Sequence, residues 1–218
     1  MGLLKIEELV KLDTRVKLHQ IDISVLADYY FNYLNTYIYR FELKTGDIIE
    51  IDFSKENFCH LVGIEQIAEE RLKRDLAKKS GKKINEYMYK GKRGFRKALK
   101  GELNFIHLKK LHSGAYKLQE DLEKFNFFHL IHKLIVSESV KVINFTKIPD
   151  SSITCDFIFH DVYDNALLHL GVEKSASASY FFPKTFFPRY LNQNNFDKFV
   201  EPTTQTAVSI VKIEVIEK

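Results

Sequence analysis

The stretch "ITCDFIFHDVYDNALLHLGVEK", Ile153 to Lys174, decides the fold class of this chain. Apolar residues alternate through "ITCDFIFH" and again through "ALLHLGVEK", with a polar turn at Asp161 to Asn165 between them, the pattern of two paired strands. The same period of two recurs on both sides. Upstream lies "KVINFT", and downstream come "SASYFF" and then "TAVSIVKIEVIEK", where Val211, Ile213 and Val215 fall on one side and Lys212 and Glu214 on the other. Strands this close in sequence predict an antiparallel meander from 139 to 218.

Before it the period is different. Leu3 to Leu12 carries helical spacing, and a second helix is predicted to start after Asp22 with Val25, Leu26, Tyr29, Tyr30, Tyr33 and Leu34. In "YIYRFELKTGDIIEIDF", Tyr39, Phe41 and Leu43 and then Ile49, Ile51 and Phe53 alternate with charged residues around Thr45-Gly46, which predicts a hairpin with one buried face. A long helix then opens at "NFCHLVGI" and runs to about Lys78, ended by Ser80-Gly81. Its apolar stripe is Phe58, Leu61, Ile64, Ala68, Leu72 and Leu76, and His60 falls at the flank, between Ile64 and Ile67. From Ile84 to about Glu138 the spacing is helical again. The predicted architecture is α+β: N-terminal helices and a hairpin, a helical middle, and a C-terminal antiparallel sheet packed on helices. It reads as a single domain over 1–218, with a helical extension at 1–36, the hairpin and first core helix at 37–80, a basic helical insertion at 81–138 and the sheet at 139–218.

A chain of 218 residues that is 45% hydrophobic and 13% aromatic can bury a real core. No apolar run approaches the roughly 18 to 20 residues of a membrane span, and "MGLLKIEELVKLD" lacks a signal peptide's apolar stretch. These features predict a cytoplasmic protein that does not engage a membrane. Cys59 and Cys155 are too few for a disulfide framework and lack zinc spacing, so free thiols are expected, with neither as a nucleophile. With four prolines and nine glycines, the chain shows no linker or repeat that would divide it.

The net charge of +4 hides an asymmetry. Between Arg71 and Lys117 there are sixteen Lys/Arg against Asp75, Glu86 and Glu102, giving +13 there and −9 elsewhere. Such a block can be a solvated face. However, Lys90, Lys92, Arg93, Arg96, Lys97 and Lys100 interleave with Tyr87, Tyr89 and Phe95, the mix expected where cations meet phosphates and rings meet bases.

Other chemistries find little support. His129 and His132 in "FHLIH" share a helical face but lack a third ligand at the next helical position, so no metal and no cofactor is expected. His160 and His169 flank the predicted hairpin and could meet across it, either as a site or as packing. "GKRG" lacks the context of a nucleotide loop, and no serine-hydrolase elbow is present. In "YFFPKTFFPR", Tyr180 to Arg189, two prolines in six residues argue against a central strand. The chain is therefore expected to leave the sheet near Pro183, placing Lys184, Thr185 and Arg189 on an anchored loop suited to grip a phosphate.

The order of "FSKENFCHLVGI", a basic helical middle, "NALLHLG" and "YFFPKTFF" before a last apolar strand resembles the phage-associated nuclease-like domains grouped with Barnase, EndoU, colicin nucleases and RelE, specifically their fourth subgroup. The resemblance runs from about Tyr37 to Ile216. It implies helices packed on an antiparallel sheet and an ancestry of metal-independent RNA cleavage by toxins and phage effectors in a bacterial host cell. The matching words carry His60 and Lys184 with Thr185 over as site candidates. Cleavage of this type needs a base for the ribose 2′-hydroxyl, an acid for the leaving 5′ oxygen, and cations for the charge on phosphorus. The expectation is thus a catalytic set of His60, Lys184, Thr185 and Arg189, with Tyr180 and His169 as further candidates for the acid. The alternatives are a non-catalytic binding protein of the same fold that blocks a host defence complex or nucleic acid, and a toxin held by an antitoxin partner.

Overall fold

The structure is a computed structural model that describes residues 2–78, 83–112, 118–191 and 197–218. The chain divides into two compact units. Residues 1–12, 16–32 and 55–129 form a helical unit, and residues 13–15, 33–54 and 130–218 form a sheet unit.

In the helical unit, α1 (Ile6–Leu9) precedes α2 (Ile23–Tyr29), whose start is fixed as predicted: the Asp22 carboxylate accepts from the Ser24 amide at 2.9 Å. The long helix expected from Asn57 is two helices, α3 (Phe58–Leu61) and α4 (Ile64–Ala77), because Gly63 between them takes φ of +89°. This left-handed turn is open to glycine at no steric cost, and it breaks the helical projection that set His60 beside Ile64 and Ile67. The end expected at Ser80-Gly81 lies outside the described residues. Then follow α5 (Gly91–Leu99), α6 (Phe105–His112) and α7 (Leu118–Phe127). A ring cluster holds this unit together. Phe58 meets Tyr30, Phe95 and Phe128 edge-on with centroids 5.4 to 5.7 Å apart, the geometry aromatic quadrupoles favour. Gly94 permits this packing: a Cβ there would stand 2.6 Å from the Cys59 sulfur and 2.7 Å from the Tyr89 backbone.

The sheet unit contains α8 (Ile131–Val136) and eight strands: β1 (Tyr37–Leu43), β2 (Ile48–Asp52), β3 (Lys141–Asn144), β4 (Phe157–Tyr163), β5 (Ala166–Lys174), β6 (Phe181–Tyr190), β7 (Thr206–Val208) and β8 (Ile210–Glu217). Their order is β7-β3-β4-β5-β6-β2-β1-β8. The predicted hairpin is present, with Phe41 opposite Ile49 and Tyr39 opposite Ile51. It does not stand apart from the C-terminal strands, because β2 joins β6 in parallel and β1 takes β8 as its other neighbour. The sheet is therefore mixed and larger than the expected meander. One residue, Ser209, separates β7 from β8, yet these strands are the two ends of the order, so the sheet must curl until its edges approach. Phe41 of β1 accordingly meets Phe159 of β4, ring centroids 4.7 Å apart, although three strands lie between them in the sheet. The inner face carries the fully buried Phe41, Ile51, Phe159, Leu168, Leu170 and Phe186.

The two prolines of "YFFPKTFFPR" sit within β6, against expectation. The register with β5 explains it: Val172 is opposite Pro183, Gly171 is opposite Thr185, and Lys184 is the extra residue of a bulge. Five positions apart, Pro183 and Pro188 would point their nitrogens to opposite sides of a regular strand. With one bulge residue between them they face Val172 and Leu168, four apart, and share one orientation. β6 pairs with β2 at a single position, so that side has little ladder to lose.

Candidate active site

A tight turn positions the site. Asp164 and Asn165 take φ of 47° and 59°, the left-handed pair that a two-residue hairpin turn needs, so the turn is shorter than the Asp161 to Asn165 expected. Counting outward from it places His160 opposite His169, and β6 then sets Phe187 opposite His169. One face of β4, β5 and β6 thereby carries Val162, Leu167 and Arg189 in one row and His160, His169 and Phe187 in the next. The row beyond is Ile158, Gly171 and Thr185, covered by a small core that includes Phe145 and Phe199.

His169 is fully buried at the centre. Its ring stacks on Phe187 at 4.4 Å and 6°, its Nδ1 lies 3.3 Å from the Phe187 carbonyl, and its Nε2 lies 3.5 Å from an Asp197 carboxylate oxygen. That last distance is long for a hydrogen bond, and the contact is better described as electrostatic. The same Asp197 oxygen is 3.4 Å from Arg189 Nε, while its other oxygen accepts from the Phe199 amide at 2.8 Å. Burial works to raise the Asp197 carboxyl, but the His169 contact, the Phe199 amide and the Arg189 charge outweigh it and hold the group below its ordinary value. The Arg189 guanidinium, two-fifths exposed, also lies 5.3 Å over the Phe199 ring. His160 stacks beside His169 with centroids 6.4 Å apart. Burial, then the His169 and Lys141 charges, push its pKa down to about 4. It is therefore a neutral imidazole near pH 7. Its Nδ1 has no hydrogen-bond partner among the described residues, and its ring lines a groove of about 1070 Å³.

Of the expected set, only Arg189 joins this cluster. Lys184 is taken up by Glu173 at 2.6 Å, and the Thr185 methyl packs where a Gly171 side chain would be. Five residues of strand separate Lys184 from Arg189 by roughly 15 Å, too far for one phosphate, so the expected phosphate-gripping loop is corrected to a strand on which the cations stand apart. Tyr180 precedes β6, at the opposite end from Arg189. His60 belongs to the helical unit, where its Nδ1 is 3.5 Å from Glu65. That carboxylate also faces Lys90, which reaches Glu69 at 2.9 Å and Glu86 at 3.1 Å. The His60 contact and the Lys90 charge lower the Glu65 pKa against its burial. The sequence reading had His160 and His169 able to meet across the hairpin without choosing between a site and packing, and it missed Asp197. His160 is found by counting from a correctly placed Asp164-Asn165 turn. Asp197 arrives on a connection between β6 and β7, and nothing in its sequence neighbourhood announces it.

The basic residues of the helical middle follow the geometry of α5. Gly94, Phe95 and Ala98 are buried, and Lys92, Arg93, Arg96 and Lys100 line the exposed side. Lys92 pairs with Glu56 and Lys97 with Glu102, and Lys90 is surrounded by carboxylates. Arg93, Arg96 and Lys100 have no carboxylate partner among the described residues, and all three border a shallow depression. Tyr87 nearby in sequence is 68% exposed. Burial raises both thiols, Cys59 first by burial and then by Glu65, and Cys155 to about 12, so neither is a thiolate near neutral pH. His129 and His132 do not share one helix, because Phe128–Leu130 is a 3-10 turn and α8 begins at Ile131. Among the described residues no group of three or more His, Cys, Asp or Glu is placed to hold a metal ion, and no helix is long and apolar enough to cross a membrane.

A curled mixed sheet with a histidine, arginine and carboxylate cluster on one face, accompanied by a helical unit, defines a mixed α/β protein. The chain belongs to the family described as phage-Barnase-EndoU-ColicinE5/D-RelE like nuclease4, which it matches over residues 22–215. Comparison with curated proteins and with solved structures returns no match.

Proposed function

We propose that the protein is a metal-independent ribonuclease, a phage or mobile-element effector acting in the cytoplasm of a bacterial host. The observation that carries this reading is the outer face of β4, β5 and β6, where a neutral imidazole, a half-exposed guanidinium and a buried carboxylate meet around His169. Those are the parts that acid–base transesterification uses. His160 takes the ribose 2′-hydroxyl proton and the freed oxygen attacks phosphorus. The 5′ oxygen leaves with a proton taken from solvent water, giving a 2′,3′-cyclic phosphate and a 5′-hydroxyl end, and the His160 imidazolium returns its proton to solvent. Arg189 faces the charge on the phosphoryl oxygens, and Lys141, opposite His160 on β3, adds a second cation. His169 and Asp197 position the other two. Arg93, Arg96 and Lys100 on α5 hold the RNA backbone, with Tyr87 available for stacking.

Purified protein incubated with tRNA and total RNA in EDTA tests this. Fragments with cyclic phosphate ends are expected. His160→Ala lowers cleavage by about 10² to 10⁴-fold, as for loss of a positioned base, while RNA binding persists. His60→Ala separates the two histidines: if it, and not His160→Ala, abolishes cleavage, the sheet face is the wrong site. Stoichiometric retardation of RNA without fragments marks a binding protein instead.

A further inference from the structure

β3 and β7 are paired as far as Asn144 opposite Thr206, and two steps further in the same register would set Thr146 opposite Thr204. Instead the chain turns. The Thr204 and Gln205 amides both return to the Glu201 carbonyl, at 3.0 and 2.9 Å, a helical turn that brings Glu201, Thr204 and Gln205 to one side. The Gln205 carboxamide then spans the gap: its Oε1 accepts from the Thr146 amide at 2.8 Å and its Nε2 donates to the Thr146 carbonyl at 3.0 Å. Where the ladder stops, the two segments enclose a cavity of about 320 Å³, lined by those three side chains, by Lys198 and by Thr146 to Pro149. Gln205 is only 6% exposed, and a carboxamide carries two donors and two acceptors, so one of each is left over. Gln205 also lines the groove that His160 borders, and the cavity thereby adjoins the candidate active site.

We propose that this cavity is a base subsite, which takes one nucleobase from a nucleotide beside the cleaved bond. The choice of RNA as its source rests on the ribonuclease reading above. Three observations select the base. The volume lies at the small end of ligand pockets and suits a flat ring, with Ile148, Pro149 and the aliphatic stems of Lys147 and Lys198 for its faces. Lys147 and Lys198 are exposed and have no carboxylate partner among the described residues, which leaves two ammonium groups for the phosphates that flank the base. The Lys198 ammonium lies 5.3 Å from the centroid of the Phe199 ring, and the Arg189 guanidinium lies 5.3 Å from the same centroid, so the line of cations continues from the candidate active site. Glu201 brings the one carboxylate among the lining residues, and Gln205 adds its spare donor and acceptor. A carboxylate accepts from an exocyclic amine and repels carbonyl oxygens. Adenine, guanine and cytosine are therefore favoured over uracil, whose N3–H lies between two carbonyls.

The four ribonucleoside 3′,5′-bisphosphates, added to the full chain in EDTA, are the probes, since none carries a bond for the protein to cleave. The adenosine, guanosine and cytidine compounds are expected to bind saturably, shifting amide resonances at 146–149 and 198–205, and the uridine compound to bind about tenfold more weakly. Glu201→Gln narrows that difference, because a carboxamide also donates to uracil oxygens. Thr204→Trp, at an exposed position, fills the cavity and abolishes binding with the melting temperature unchanged. Lys147→Ala combined with Lys198→Ala weakens all four compounds alike. Absence of saturable binding, equal binding of inorganic pyrophosphate, no preference against uridine, or shifts confined to other segments would each overturn the subsite. Cleavage is read separately, and His160→Ala should bind the bisphosphates as tightly as the parent. RNA fragments without bisphosphate binding overturn the subsite and leave the ribonuclease reading standing, whereas bisphosphate binding without fragments does the reverse.

Discussion

An imidazole enclosed by apolar groups and by a second imidazole resists protonation, and His160 makes that resistance measurable. Its pKa falls from an ordinary 6.5 to about 4 through burial first and the His169 and Lys141 charges next, against a smaller opposing pull from Asp161 and Asp197. The unfolded chain therefore holds a proton that the folded chain releases. Stability is complete above about pH 6.5 and is lost as pH falls toward 4, by on the order of 3 kcal/mol at about 1.4 kcal/mol per unit. Urea midpoints measured across that range should drop, and His160→Gln should flatten the profile there. Below it, protonation of Asp197, whose pKa is held low, removes a further contribution. Gly171 offers a second residue-scale test. A Cβ added there would lie 2.7 Å from the Thr185 methyl and 3.1 Å from the Cys155 sulfur. Gly171→Ala is expected to cost about 1 to 3 kcal/mol by overpacking, and Thr185→Ser in the same chain to recover much of it, read from denaturant midpoints.

At the scale of elements, the bulge at Lys184 takes up one extra residue of β6. Deleting that residue would remove the bulge and leave Thr185, Phe187 and Arg189 opposite Gly171, His169 and Leu167 in a regular strand, so Arg189 keeps Asp197 and Phe187 keeps His169. Cooperative melting is expected to survive the deletion. Lys184→Ala keeps the bulge and removes only a partly exposed pair with Glu173, worth about 0 to 1 kcal/mol, so it should melt near the parent temperature. The same element shows why the sequence was only partly legible. Alternation identified β1, β2, β4, β5 and β8, because period two is a local property. A bulge belongs to a pair of strands, and proline positions become readable only once the partner's register is known. The Gly63 break was open to local reading: a glycine within an apolar run can end one helix and begin another, whereas a continuous projection assumed a single axis. The site was legible as far as Arg189 and the meeting of two histidines across a hairpin. It was not legible at Asp197, which depends on a long-range return of the chain.

For the molecule as a whole, charge is concentrated on one surface of α5, with Arg93, Arg96 and Lys100 unmatched by carboxylates among the described residues. Replacing the three with Glu should weaken RNA binding and lower its salt slope by up to about 0.7 per lost phosphate contact on a single strand, measured by filter binding over a range of salt. Unchanged affinity and slope would return this surface to a solvated face. Fold class was readable at this scale from the change of period along the chain, but the curling of the sheet was not, since it follows from β8 returning to β1 rather than from any local pattern. That return has a consequence for synthesis. Tyr37 near the start of β1 waits for Glu217, far along the chain, and the two meet only after everything between them has left the ribosome tunnel. The hairpin therefore emerges with the β1 edge bare and keeps it so until β8 is made. Chains arrested before β8 should be captured by chaperones or proteases, and the cell is thereby spared partial copies of a nuclease-like protein.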